Sequence, residues 1–213
     1  METKHKVYNL IILDESGSMN SIKKTIIEGF NEIVQTVKGV ATQFPEQEHL
    51  ISFVSFNGLG TTTHLDRVGV AELNELDGSK YQPAASTPLF DAMGDSIAAL
   101  RKETDQMTDY NVLVTILTDG RENASKEYDG ATIKKMVDEL SAKNWTFTYI
   151  GADHDVENFA ASISIKNTMR FNKNRADMKR MFQVEQSSRA NYSMKIRKKE
   201  STRDNYYSDD STT

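Results

Sequence analysis

The sequence predicts an α/β domain built on a doubly wound, mostly parallel six-stranded sheet, with one antiparallel edge strand and helices on both faces. Short runs of branched apolar residues alternate along the chain with longer stretches whose apolar residues recur at steps of three and four. Strand-helix alternation of this kind is how parallel sheets with helices on both sides are written. The first such run, Val7–Leu13, is apolar and rich in branched residues, as buried strands of parallel sheets are. Asn57-Gly58 between two such runs marks a tight turn and hence one antiparallel pair.

Val7–Leu13 is the first strand, ending in the turn residues Asp14-Glu15-Ser16-Gly17-Ser18. A helix follows, with Ile22, Ile26, Phe30, Ile33, Val37, Ala41 and Phe44 on one face, and Pro45 stops it. His49–Phe56 is the second strand and Thr61–Arg67 its hairpin partner, followed by a short helix over Val70–Leu76. Residues 77–88 read as a loop, and Leu89–Arg101 as a helix. Val112–Leu117 is an uninterrupted branched run and the clearest strand, stopping at Thr118-Asp119-Gly120. Ala131–Leu140 is helical, Trp145–Ile150 is a strand and Val156–Ala161 a short helix. Thr168–Phe171 is the last edge strand and Asp177–Ser187 the last helix. The domain is expected to span residues 1–190. From 191 to 213 the chain is polar with little periodicity, which reads as a disordered tail.

Composition narrows the function. With 213 residues, 38% hydrophobic and 27% charged, the chain is an ordinary one-domain globule. A net charge of −5 argues against nucleic-acid binding by bulk electrostatics. The basic cluster Lys195, Arg197, Lys198 and Lys199 is followed by acids and reads as a solvated tail. The absence of cysteine excludes disulfides and thiolate metal sites. No apolar stretch approaches the roughly 20 residues a membrane helix needs, and no signal-peptide pattern is present. A cytoplasmic location is expected, without membrane or nucleic-acid partners.

In open parallel sheets, ligands bind beyond the carboxyl ends of the strands, where the strand order reverses. Asp14, Ser16 and Ser18 follow the first strand, Asp119 follows the Val112–Leu117 strand, and Thr87 leads into a helix from the same expected rim. Two carboxylates and three hydroxyls form a hard oxygen donor set of the kind Mg²⁺ takes. As the chain curls off the strand, alternate side chains at 14, 16 and 18 point into one hollow, and Gly17 eases the curl. The bland readings are helix capping for the serines and an ordinary turn for Asp119-Gly120. Asp153 and His154 follow a strand end and read chiefly as surface loop. Asp91 reads as a helix cap, with a hydrogen bond to the Thr87 loop as the alternative, His5, His49 and His64 as ordinary histidines, Trp145 as core, and Tyr206 and Tyr207 as tail residues without a role.

Ile12-Leu13-Asp14-Glu15-Ser16-Gly17-Ser18-Met19 resembles the Asp-x-Ser-x-Ser element of the metal-ion-dependent adhesion site (MIDAS) of von Willebrand factor type A domains. Ser86-Thr87-Pro88-Leu89 resembles that family's threonine loop, and Leu117-Thr118-Asp119-Gly120 its third element. The resemblance covers about Lys6 to Ser187. Its wording is nearest the intracellular, bacterial-type branch that includes tellurium-resistance-like proteins. It implies a Rossmann-like fold and a Mg²⁺ site, with Mn²⁺ or Ca²⁺ as other candidates. Ser16, Ser18 and Thr87 would contact the metal directly or through water, and Asp14 and Asp119 would anchor it. One coordination position would stay open for a carboxylate from a protein partner. Where the threonine loop often begins with glycines, this chain has Ala85 and Ser86.

The implied function is metal-dependent protein binding without catalysis. Two alternatives stand beside it. A Mg²⁺-dependent phosphatase-like hydrolase would use an Asp after its first strand, but such sites want a second Asp two residues later, where this chain has Ser16. An adaptor subunit of an ATPase-linked or stress-response complex is compatible with binding. Neither a Gly-x-Ser-x-Gly elbow nor a Gly-x-x-x-x-Gly-Lys loop is present.

Overall fold

The computed structural model describes residues 4–152 and 155–207. Its six strands are β1 (His5–Asp14), β2 (Gln47–Asn57), β3 (Gly60–Gly69), β4 (Tyr110–Thr118), β5 (Trp145–Gly151) and β6 (Asn167–Arg170). They lie in the order β3-β2-β1-β4-β5-β6, and only the β2–β3 pair is antiparallel. The strand order therefore reverses between β1 and β4, where Leu13 pairs with Leu117. Five helices cover the faces: α1 (Lys23–Gln43), α2 (Leu89–Thr104), α3 (Gly130–Ser141), α4 (Val156–Ser162) and α5 (Arg175–Arg197).

Alternation along β1 assigns its side chains to two cores. Tyr8, Leu10 and Ile12 meet Met93 and Ile97 of α2 and Ile133 and Val137 of α3. Ile11 and Leu13 meet Ile26, Phe30 and Ile33 of α1 and Met178 and Phe182 of α5. Both faces are thus covered, which explains why β1 and β4 carry apolar residues on both sides. Trp145, only 1% exposed, belongs to the first core.

The structure departs from the sequence reading in two places. Val70–Leu76 is not a helix beyond the 3₁₀ turn Val70–Glu72. Leu73 and Leu76 are buried, and Asn31 of α1 grips the segment, accepting from the Leu76 N–H and donating to its carbonyl. An extended segment with two buried anchors imitates helical spacing. The second departure is the boundary expected at residue 190, which falls inside α5. The helix continues to Arg197, and Thr202 and Tyr206 beyond it are buried, so structure extends well into the expected tail. Residues 208–213 lie outside the described residues.

The extension is missed because α5 buries polar groups. Its inward positions include Glu185, Ser188, Arg189 and Ser193, which leave no apolar stripe to read. Arg189 lies 2.9 Å from Glu185 Oε1 and donates to Asn9 Oδ1 and Thr115 Oγ1, each at 2.9 Å, so it fastens α5 to β1 and β4. The Tyr206 hydroxyl donates to Glu185 Oε1 at 3.1 Å and closes the segment after α5 over the same pair.

Candidate metal centre

The carboxyl ends of β1 and β4 place Asp14 and Asp119 side by side at the reversal point. Asp14 is fully buried and both of its oxygens accept hydrogen bonds, Oδ1 from the Ser16 N–H at 2.7 Å and Oδ2 from the Thr118 hydroxyl at 2.6 Å. Burial pushes its carboxyl upward, against the lowering effect of those bonds, and the neighbouring Asp119 charge adds to the rise. A buried pair of carboxylates calls for a positive charge nearby.

The serines are not used as caps. Ser16 stands at the N-cap of the 3₁₀ helix Gly17–Ile22, but its side chain makes no capping bond. Its hydroxyl lies 3.1 Å from that of Ser18, and Ser18 donates to Asp119 Oδ1 at 2.6 Å. Asp119 does not close the turn either. Thr118 does so, accepting from the Gly120 N–H at 3.1 Å.

Thr87 is 3% exposed and is held at both ends of its peptide by Asn123, whose side chain accepts from the Thr87 N–H at 2.9 Å and whose N–H donates to the Thr87 carbonyl at 3.2 Å. A methyl group placed on Gly120 would stand 3.4 Å from Thr87 Oγ1, 3.9 Å from Asp14 Oδ2 and 3.9 Å from Ser18 Oγ. Oxygens from three separate segments therefore surround one small cradle that a side chain at 120 would fill. All five residues singled out in the sequence belong to this rim. Among the described residues no group of three or more His, Cys, Asp or Glu is arranged to hold a metal ion. The donors gathered here are instead hydroxyls and two carboxylates, an all-oxygen set suited to a hard cation.

The loops are laced together. Glu15 accepts from the Ser55 hydroxyl at 2.6 Å and from the Gln82 N–H, and the Gly17 N–H donates to the Ala85 carbonyl at 3.1 Å. Ala85 has φ 59, the left-handed conformation that glycine takes without strain. The Tyr81 hydroxyl donates to the Asp14 carbonyl at 2.6 Å.

Several supporting residues escape a sequence reading. Asn123 and Tyr81 reach the site from loops without motif. Lys173, in the segment between β6 and α5, has its Nζ 2.8 Å from Asp119 Oδ2. Asp91 does not cap α2. It accepts from the backbone N–H groups of Lys126, Glu127 and Tyr128 and anchors the β4–α3 loop. Asp153 and His154 lie outside the described residues.

A sequence profile of the von Willebrand factor type A domain matches residues 10–187. The chain belongs to the von Willebrand factor type A domain family. Domains of this family are often protein-interaction modules. No curated protein sequence matches the chain. Solved structures share its fold at low identity. Proximal thread matrix protein 1 from the mussel byssus is 15% identical with a TM-score of 0.57, over 84% of this chain and 45% of that one. The PilB minor pilin from Streptococcus sanguinis is 11% identical with a TM-score of 0.59, over 92% and 64%. The VWA domain of SpRpn10 is 9% identical with a TM-score of 0.54, over 84% and 94%. The chain thus spans about half to two thirds of the length of the first two, and at these identities the likeness shows the fold alone.

Proposed function

We propose that this von Willebrand factor type A domain binds a protein partner through a divalent cation of the Mg²⁺ type, held by Asp14, Ser16, Ser18, Thr87 and Asp119. A carboxylate of the partner would complete the shell. The observation that carries the reading is the Ser16–Ser18–Asp119 chain of hydroxyl and carboxylate contacts, made at the expense of the capping that serines normally perform there. The Gly120 cradle and the buried pair of carboxylates support it. When bound, the cation would supply an electrophilic point that an anionic side chain can reach. The wording of the Asp14 and Thr87 loops favours the bacterial, intracellular branch of the family.

Calorimetric titration with Mg²⁺ and Mn²⁺ tests the site. Asp14→Ala and Asp119→Ala are each expected to weaken uptake at least tenfold, and equal affinity in wild type and both variants would dismiss it. Capture of a partner in Mg²⁺ but not in chelator, abolished when the partner's acidic residue becomes an amide, tests the binding role.

A hydrolase is the second reading, and Lys173 is the observation in its favour, since phosphatase-like sites use a lysine beside the catalytic carboxylates. Against it, both Asp14 oxygens are buried and already hydrogen-bonded. Mg²⁺-dependent turnover of an aryl phosphate, lost in Asp14→Ala, would overturn the binding reading.

A further inference from the structure

Lys173 lies on the same rim of the sheet as Asp14 and Asp119, just ahead of α5. Its ammonium stands 2.8 Å from Asp119 Oδ2, with the Asp119 side chain fully buried and the lysine side chain 22% exposed. The other Asp119 oxygen is taken by Ser18. Among the described residues Oδ2 accepts no well-aligned hydrogen bond, so the ammonium serves it as a charge rather than as an oriented donor.

We propose that Lys173 is a built-in competitor of the divalent cation: its ammonium neutralises Asp119 while the cation is absent and must withdraw before the cation can use that carboxylate. The inference rests on the metal reading above. A carboxylate this buried needs a counter-charge at all times, and Lys173 is the cation in contact with it. An ammonium has three donors and no lone pair, so it cannot join the coordination shell. At hydrogen-bonding distance from a ligand oxygen it also repels any second cation strongly. The lysine stem is long and flexible and its side chain is partly exposed, so the ammonium can move off the carboxylate. The consequence is a site of lowered affinity in which the Asp119 charge stays balanced without metal and which fills only above a threshold concentration.

The test is calorimetric titration of the full chain with Mg²⁺ and Mn²⁺, comparing wild type with Lys173→Met, Lys173→Gln and Lys173→Arg. Trp145 fluorescence checks that each variant is folded. If the pair is formed roughly nine-tenths of the time, its removal tightens binding about tenfold. Met and Gln are expected to show that gain, and Arg, which keeps the charge, is expected to stay near wild type. A merely structural lysine predicts the opposite, weaker uptake in Met and Gln. If wild type binds metal and neither neutral variant binds more tightly, the competitor role is refuted and the metal site stands. If no variant binds Mg²⁺ or Mn²⁺, the metal reading falls and this inference with it.

Discussion

Replacing Arg189 by Met attacks the polar anchor of α5. The guanidinium is 3% exposed and touches Glu185, Asn9 and Thr115, all buried. Met fills similar volume but leaves the Glu185 carboxylate in the core without its counter-charge, the Tyr206 hydroxyl still on Oε1, and it orphans the acceptors on Asn9 and Thr115. Removing one partner of a buried pair costs about 3–5 kcal/mol, because the remaining charge is uncompensated. That is a large share of the ~5–15 kcal/mol by which a domain is stable. Removing both charges together, Glu185→Met with Arg189→Met, is expected to recover most of the loss, giving a coupling above ~2 kcal/mol.

Urea unfolding followed by Trp145 fluorescence measures all four corners of the cycle. Burial already pushes the Glu185 carboxyl upward, and loss of Arg189 pushes it further. A folded-state pKa above the unfolded 4.5 means that the neutral acid is the form the fold accepts. The deficit of Arg189→Met is therefore small below about pH 4.5 and grows as pH rises through the folded value. A single-variant loss under ~1 kcal/mol, or losses that simply add in the double variant, would refute the view that α5 is held by this pair.

His49 is buried on β2, and burial, helped by the Arg189 charge, lowers its pKa to about 4. The unfolded chain then takes up a proton near pH 6.5 that the fold refuses, so stability is complete above that pH and drains away toward pH 4, by up to about 3 kcal/mol. Urea midpoints from pH 7 to 4 are expected to show this slope in wild type and a flatter one in His49→Phe. Ala85→Gly releases the left-handed strain at φ 59 but loosens the unfolded chain, for a net gain of about 0.5 kcal/mol and a Tm rise of about 1–2 °C. A fall in Tm would refute the strain argument. Gly120→Val fills the cradle beside Thr87, Asp14 and Ser18. It is expected to weaken Mg²⁺ uptake at least tenfold by calorimetry while Tm changes by less than about 2 °C.

What the sequence could tell divides along physical lines. Strands β1 and β4 lie centrally, covered on both faces, and their apolar runs announce them to within a residue or two. Helix α1 is readable because a single apolar stripe faces a single core. The end of α5 was hidden for the converse reason, since Glu185, Ser188 and Arg189 are buried by pairing instead of by hydrophobicity. At the rim, Asp14, Ser16, Ser18, Thr87 and Asp119 could be singled out because each follows a strand or opens a helix. Asn123 and Lys173 could not, because nothing local distinguishes an asparagine that clasps a peptide, or a lysine that reaches a distant carboxylate, from any other surface residue.

The pairing of β1 with β4 has a consequence for how the molecule comes into being. The bond from Thr118 to Asp14 joins residues separated by 104 positions, and that from Ser18 to Asp119 joins residues separated by 101. A chain emerging from the ribosome makes its first strand early but cannot give it this neighbour until the fourth has been synthesised. Closing so long a loop is slow and comes late among folding events. Immature chains, however rich in local structure, would lack the assembled rim, so that competence to engage anything through it would itself certify that folding is finished.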